Sequence, residues 1–361
     1  MEHGESIARQ SRKMDHIRYA LSIGQSGRNG LADVRFVHNP LPDTSLDHIS
    51  LHTRIGELDL SSPILINAMT GGAGETEALN YAFGEAARAA GVAMAVGSQM
   101  AAVRDPALAA TYAAARRANP GGVLFANLGS EATADQAKRA VEMIEADALQ
   151  IHLNVVQELV MPEGDRDFTG ALRRIERIAR AVGVPVVVKE VGFGMTAEAA
   201  ARLFEAGVAA VDCGGSGGTN FAAVENARRD KPIAWFDDWG ISTAASLLEA
   251  GAAAPLGSLV GSGGIRTGLE AAKAIALGAD AIGVAGAFLR VLREEGTDAL
   301  VDAIRAMHDE LRLVMAAVGA RNVAELKRAP VVVGGDTFAW CAARGIDVAK
   351  LARRSIRGRT E

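Results

Sequence analysis

Cysteine is nearly absent. Cys213 and Cys341 are the only two in 361 residues, too few for a disulfide framework or a four-cysteine metal site. Aromatic residues make up only 4% of the chain, and small residues take their place. The 40 glycines and abundant alanines suit tight turns and close packing of helix on sheet. No charge sign dominates: a net charge of −5 gives no electrostatic reason to expect a nucleic-acid partner. No apolar run reaches the length needed to span a bilayer. The first residues, MEHGESIARQSRKMDHI, are polar and lack the apolar core of a signal peptide, so a cytoplasmic location is expected. A GxxxxGKS/T phosphate loop is missing, and GGSGGTN (214–220) does not fit a GxGxxG dinucleotide fingerprint.

What remains is a regular alternation. Eight short apolar runs begin at about residue 64: ILINAMT (64–70), VAMAVGS (92–98), VLFANLG (123–129), ALQIHLN (148–154), VPVVVKEV (184–191), AAVDCGG (209–215), SLVGSGG (258–264) and AIGVAG (281–286). Each is followed by an Ala-rich amphipathic stretch, such as TEALNYAFGEAARAAG (76–91) or GLEAAKAIALG (268–278). Eight strands alternating with eight helices predict an α/β fold, a (β/α)8 TIM barrel. Residues 1–60 are expected to form an N-terminal arm and capping segment, and residues 61–361 the barrel with C-terminal helices. TDALVDAIRAMHDELRLVMAAVG (297–319) has helical spacing and is expected to close the outer ring.

Function in such a barrel gathers at the C-terminal strand ends. Here they supply Thr70, Ser98, Asn127, His152, Lys189, Thr219, Gly263, Gly264, Ala285 and Gly286. In ALQIHLN, alternation sets Leu149, Ile151 and Leu153 on one face and Gln150, His152 and Asn154 on the other. The apolar set belongs against the helices, so the polar set points into the barrel. Lys189 closes an apolar strand and needs a counter-charge, either a ligand or a salt bridge with Glu190 or Asp212. SGGIR (262–266) and AGAF (285–288) follow strands seven and eight, the usual phosphate site of this fold. In the run 152–168, Glu158 is the acid expected to hold Mg²⁺ beside a substrate phosphate.

Together, several stretches resemble the FMN-dependent type 2 isopentenyl diphosphate isomerases. They are RKMDHI (12–17), INAMTGG (66–72), VGSQM (96–100), FANLGS (125–130), LQIHLNVVQELVMPEGDRDF (149–168), VPVVVKEVGFGM (184–195), GGSGGTNF (214–221), WGIST (239–243) and GGIR…AKAIALGA (263–279). The resemblance runs over almost the whole chain. It implies that Ala68, Met69, Thr70, Ser98, Asn127, Lys189 and Thr219 contact the flavin. Gly263, Gly264, Arg266, Ala285 and Gly286 would lie by its phosphate. Arg12, Lys13 and Gln157 would bind substrate, Glu158 would reach Mg²⁺, and His16, His152 and Gln157 would serve the chemistry. Many members carry Arg where this chain has Met100.

The implied reaction interconverts isopentenyl and dimethylallyl diphosphate in isoprenoid biosynthesis. Reduced FMN would be the acid–base cofactor and NADPH its reductant. A homo-oligomer is expected, with neither nucleic-acid nor membrane partners. The rival is an FMN oxidoreductase of the 2-hydroxy-acid type, which needs a His base after a late strand. Histidines stand only at 3, 16, 38, 48, 52, 152 and 308, so none falls between strands five and eight.

Overall fold

The computed structural model describes residues 18–19, 21–23, 27–69 and 71–356. Eight strands close into a parallel barrel, each inside a stretch predicted above. They are β1 (Ile64–Ile66), β2 (Ala93–Ala95), β3 (Leu124–Gly129), β4 (Ala148–Leu153), β5 (Val186–Glu190), β6 (Ala210–Asp212), β7 (Ser258–Ser262) and β8 (Ala281–Val284). Every neighbouring pair is parallel, and β8 pairs with β1 to close the ring. The predicted helices form as Thr76–Ala90, Gly268–Ala276 and Thr297–Val318. The last packs across the first two and completes the outer layer.

Local chemistry explains the helix starts. Thr133, Thr196, Ser242 and Thr267 each accept the backbone N–H three residues on, covering a donor that the first turn leaves unmade. Arg116 staples the N-terminal ends of β3 and β4. Its guanidinium donates to the carbonyls of Ile144, Gly122 and Glu145 and to Asp147, whose carboxylate also accepts Leu124 N–H.

Two apolar layers divide the strand side chains. Leu149 and Ile151 belong to the large cluster between barrel and helices. Inside the barrel, Leu65, Ala93, Ala95, Phe125, Ala148, Val187, Ala210, Val260 and Ala281 form a second, dry cluster. The hairpin Thr53–Ile55/Leu58–Leu60 adds Ile55 and Leu60 to it. This plug leaves one end of the barrel for chemistry. Val34–Phe36 pairs antiparallel with Val331–Val333, joining the segment before the barrel to the one after it. Among the described residues no helix is long and apolar enough to cross a membrane.

Candidate active site

Side chains two residues apart on a strand share a face. Two positions beyond the dry layer, the same strands therefore present Asn67, Asn127, Gln150, Lys189, Asp212 and Ser262 to the interior. All six are buried. The apolar floor thus gives way to a polar tier within one pleat. Gly283 stands at the matching position on β8, and a Cβ there would meet Asn67 Nδ2 at 2.3 Å. The register sets His152 beside Lys189, and Lys189 beside Asp212.

The tier is hydrogen-bonded throughout. Asn67 Nδ2 donates to Asp212 at 2.8 Å, Gln150 Nε2 to Asn67 Oδ1 at 3.0 Å, and Asn127 Nδ2 to Gln150 Oε1 at 3.1 Å. His152 Nδ1 lies 3.0 Å from Asn127 Oδ1. Lys189 Nζ donates to the Glu190 carbonyl at 2.6 Å. The salt bridge weighed for Lys189 with Glu190 or Asp212 does not form: the Glu190 carboxylate instead accepts the N–H groups of Gly192, Phe193 and Gly194. Burial pushes the Glu190 carboxyl up to about 7.

Above the tier opens a cavity of about 310 Å³. Ala68, Met69, Ser98, Asn127, His152, Gln157, Glu158, Lys189, Thr219, Gly263, Gly264, Ala285 and Gly286 all line it. Lys189 is the only lysine or arginine on its wall among the described residues. Arg266 is off the wall. Its guanidinium donates to the carbonyls of Gly264 at 2.9 Å and Gly217 at 2.8 Å, tying the loops after β6 and β7 together. Met100 is buried and also off the wall. Arg12, Lys13, His16 and Thr70 lie outside the described residues.

The fit to a flavin phosphate rests on that loop pair. Gly263 and Gly264 have φ of +113° and +71°, and a Cβ on either would come within 2.0 and 2.1 Å of the Gly215 and Gly217 carbonyls. Backbone packs directly on backbone here, with the Thr243 hydroxyl beside Gly263. Beside it starts helix Gly286–Glu295, whose first N–H groups have no intrahelical acceptor. Amide donors with a helix dipole behind them suit an anion.

Across the cavity, Gln157 Nε2 donates to Glu225 at 3.0 Å. Glu225 is fully buried and also pairs with Arg228, which reaches Glu163. Glu158 accepts from Asn154 Nδ2 and from Asp165 N–H, both at 2.8 Å. Partial burial pushes its carboxyl above the usual range, with those bonds opposing. No group of three or more His, Cys, Asp or Glu side chains is placed to hold a metal among the described residues. A single carboxylate fits Mg²⁺, which completes its shell with phosphate oxygens and water.

Sequence reasoning missed Asn67, Asp212 (offered only as a salt-bridge partner for Lys189), Ser262, Glu225 and Tyr112 as parts of this site. The first three follow from counting two residues along each strand from the dry layer. Tyr112 donates to the Ser98 carbonyl at 2.5 Å, and its ring fills the space that a side chain at Gly71 would take. Neither its contacts nor those of Glu225 follow from strand periodicity. Cys213, placed in strand six by the sequence, falls just past it and is buried.

Residues 114–333 match the FMN-dependent dehydrogenase family model. Isopentenyl-diphosphate delta-isomerase of Geobacillus sp. (strain WCH70) is 56% identical over 94% of this chain and 98% of its own. The enzyme of that name from Bacillus cytotoxicus is 55% identical over 96% of this chain and 100% of its own. Among solved structures, mandelate oxidase with (S)-2-phenylpropionate superposes with a TM-score of 0.62 at 20% identity, covering 88% of this chain and 94% of that one. A flavocytochrome b2 mutant with pyruvate bound gives 0.66 at 18% identity, covering 90% and 84%. At such identities the two structures speak for the barrel alone, whereas the curated relatives match over 94% and 96% of this chain. This chain belongs to the FMN-dependent type 2 isopentenyl-diphosphate delta-isomerase family.

Proposed function

We propose that this protein interconverts isopentenyl and dimethylallyl diphosphate, with reduced FMN as cofactor, Mg²⁺ on the substrate diphosphate and NADPH as reductant. The observation that carries the reading is one cavity that brings together a glycine phosphate cradle, a buried lysine and the side chains of His152, Gln157 and Glu158. The identity to curated isomerases supports it. When bound, reduced FMN supplies a proton-exchanging centre able to act on an unactivated carbon, while the protein supplies orientation and charge.

In this reading Ala68, Met69, Thr70, Ser98, Asn127 and Thr219 hold the flavin ring. Gly263, Gly264, Ala285 and Gly286 hold its phosphate, and Arg266 keeps their loop in place. Lys189, held at the Glu190 carbonyl, presents a fixed cation that favours an anionic partner. Gln157, oriented by Glu225, faces the substrate with His152 and His16. Among the described residues the cavity wall offers no second cation; as the family resemblance implies, Arg12 and Lys13 bind the diphosphate, with Mg²⁺ on Glu158. The enzyme is taken to work as a cytoplasmic homo-oligomer.

Oxidation of a 2-hydroxy acid is disfavoured. His152 is the only histidine on the cavity wall among the described residues, and it comes from β4 rather than a late strand. The test is to incubate purified protein with isopentenyl diphosphate, Mg²⁺, FMN and NADPH and identify the product. Dimethylallyl diphosphate is expected. Its absence under conditions where the flavin is bound and reduced would overturn the proposal.

A further inference from the structure

The polar tier is a directed chain, and its direction follows from its two best-anchored members. Asp212 touches the Gly214 N–H at 3.2 Å, the Ser262 hydroxyl at 2.5 Å and the Asn67 amide at 2.8 Å. The backbone N–H can only donate, so Asp212 Oδ1 accepts it, while Asn67 meets the other oxygen, Oδ2. The sense of the Asn67 amide is set by its own Oδ1, which accepts the Ala68 N–H at 2.9 Å. Its amide therefore has one sense: nitrogen toward Asp212 and oxygen toward Gln150. An amide carries its donor and acceptor at opposite corners, so each constrains the next. Gln150 must turn its nitrogen to Asn67 and its oxygen to Asn127. Asn127 then turns its nitrogen to Gln150 and its oxygen to His152. An oxygen with no proton faces His152 Nδ1, so that nitrogen must be the donor.

We infer that the buried Asp212, acting through Asn67, Gln150 and Asn127, fixes His152 as the Nδ1–H tautomer and so makes Nε2 the accepting nitrogen of the neutral ring. Asp212 and Gln150 are positioning residues in this scheme, since neither lines the cavity. The tautomer of a histidine is set by the bond its other nitrogen makes, and here that bond is dictated from across the barrel. The consequence for catalysis rests on the isomerase reading, in which His152 faces the substrate. The tautomer itself does not, and it can be measured without substrate.

The experiment is nitrogen NMR on FMN-loaded, ¹⁵N-histidine-labelled protein at about pH 8, above the ordinary imidazole range. The His152 signals are identified by their loss in His152→Gln. The wild type should show the neutral ring protonated at Nδ1. Gln150→Met removes the relay at similar volume and should populate the Nε2–H form. It should also lower kcat about tenfold or more while KM stays within about twofold, the pattern of a misprotonated acid–base group. Gln150→Glu still offers Asn127 an acceptor and should keep the Nδ1–H form. An Nε2–H ring in the wild type would overturn the inference, and that result needs no variant to fold. So would an unchanged tautomer in Gln150→Met, or loss of the Nδ1–H form in both variants alike. A correct tautomer in a protein that makes no dimethylallyl diphosphate would leave the relay standing and remove the isomerase reading instead.

Discussion

His308 shows how far a single side chain can sit from its ordinary titration. It is buried on helix Thr297–Val318, with Nε2 2.7 Å from Ser62 Oγ. Ser62 Oγ also accepts the Ile64 N–H, which holds the hydroxyl between strand β1 and the ring. Burial, with Arg312 adding to it, pushes the ring down from 6.5 to about 4. The unfolded chain therefore binds the extra proton first. Stability from this residue is complete above about pH 6.5 and is lost as the pH falls towards 4, by roughly 3 kcal/mol at most. Thermal midpoints of wild type and His308→Gln, followed from pH 7 to 4, should show a shallower decline in the variant. Equal slopes would remove His308 as the cause. At the cavity, Glu158 is the corresponding test of charge. Glu158→Gln keeps the shape and one of the two bonds from Asn154 and Asp165, but loses the charge proposed to hold Mg²⁺. The expected result is a fall of about tenfold or more in kcat/KM for the diphosphate substrate, with FMN affinity within about twofold. Released flavin with intact substrate affinity would mean that the cavity is divided differently.

At the scale of elements, the loops after β6 and β7 act as one unit. Thr243 Oγ1 donates to the Gly263 carbonyl at 2.6 Å, Arg266 bridges Gly264 and Gly217, and glycine packs on glycine between them. Gly264→Ala would place a methyl 2.1 Å from the Gly217 carbonyl at a φ of +71°, so the two loops must separate. The expected outcome is FMN affinity lowered about tenfold or more, at unchanged far-UV circular dichroism, because backbone donors lose their aim at the phosphate. Wild-type affinity, measured by flavin fluorescence quenching, would dismiss the cradle. These elements were readable in advance for a physical reason. Barrel strands must bury one face on helices, and that demand writes itself into the sequence as alternation, as Leu149 and Ile151 against Gln150 and His152 show. Arg266 illustrates the opposite case. Its GGIR motif marks a phosphate loop, but only coordinates reveal that the guanidinium grips two carbonyls and stays off the cavity wall.

Across the whole molecule, the barrel closes its lower end with apolar side chains and concentrates its unusual charges at the other. The residues that tune this site were the least legible, since Asp212 and Glu225 reach it through partners distant in sequence, Asn67 and Gln157. The arrangement has a consequence for electron use. Isomerisation leaves substrate and product at the same oxidation level, so electrons supplied to the flavin have no acceptor in the reaction. They should be needed once and then kept. Lys189, a cation fixed at 2.6 Å from the Glu190 carbonyl and on the cavity wall, favours the anionic state that retains them. No histidine base on the cavity wall follows a late strand among the described residues, so substrate oxidation lacks its usual proton acceptor. Under anaerobic conditions a single chemical reduction should therefore support many turnovers of isopentenyl diphosphate. In air, slow reoxidation should make continued NADPH appear necessary. The measurement is product formed per electron supplied, with oxygen excluded. One NADPH consumed per product would place the protein among the oxidoreductases, and full activity with oxidised FMN would remove the flavin from the acid–base chemistry.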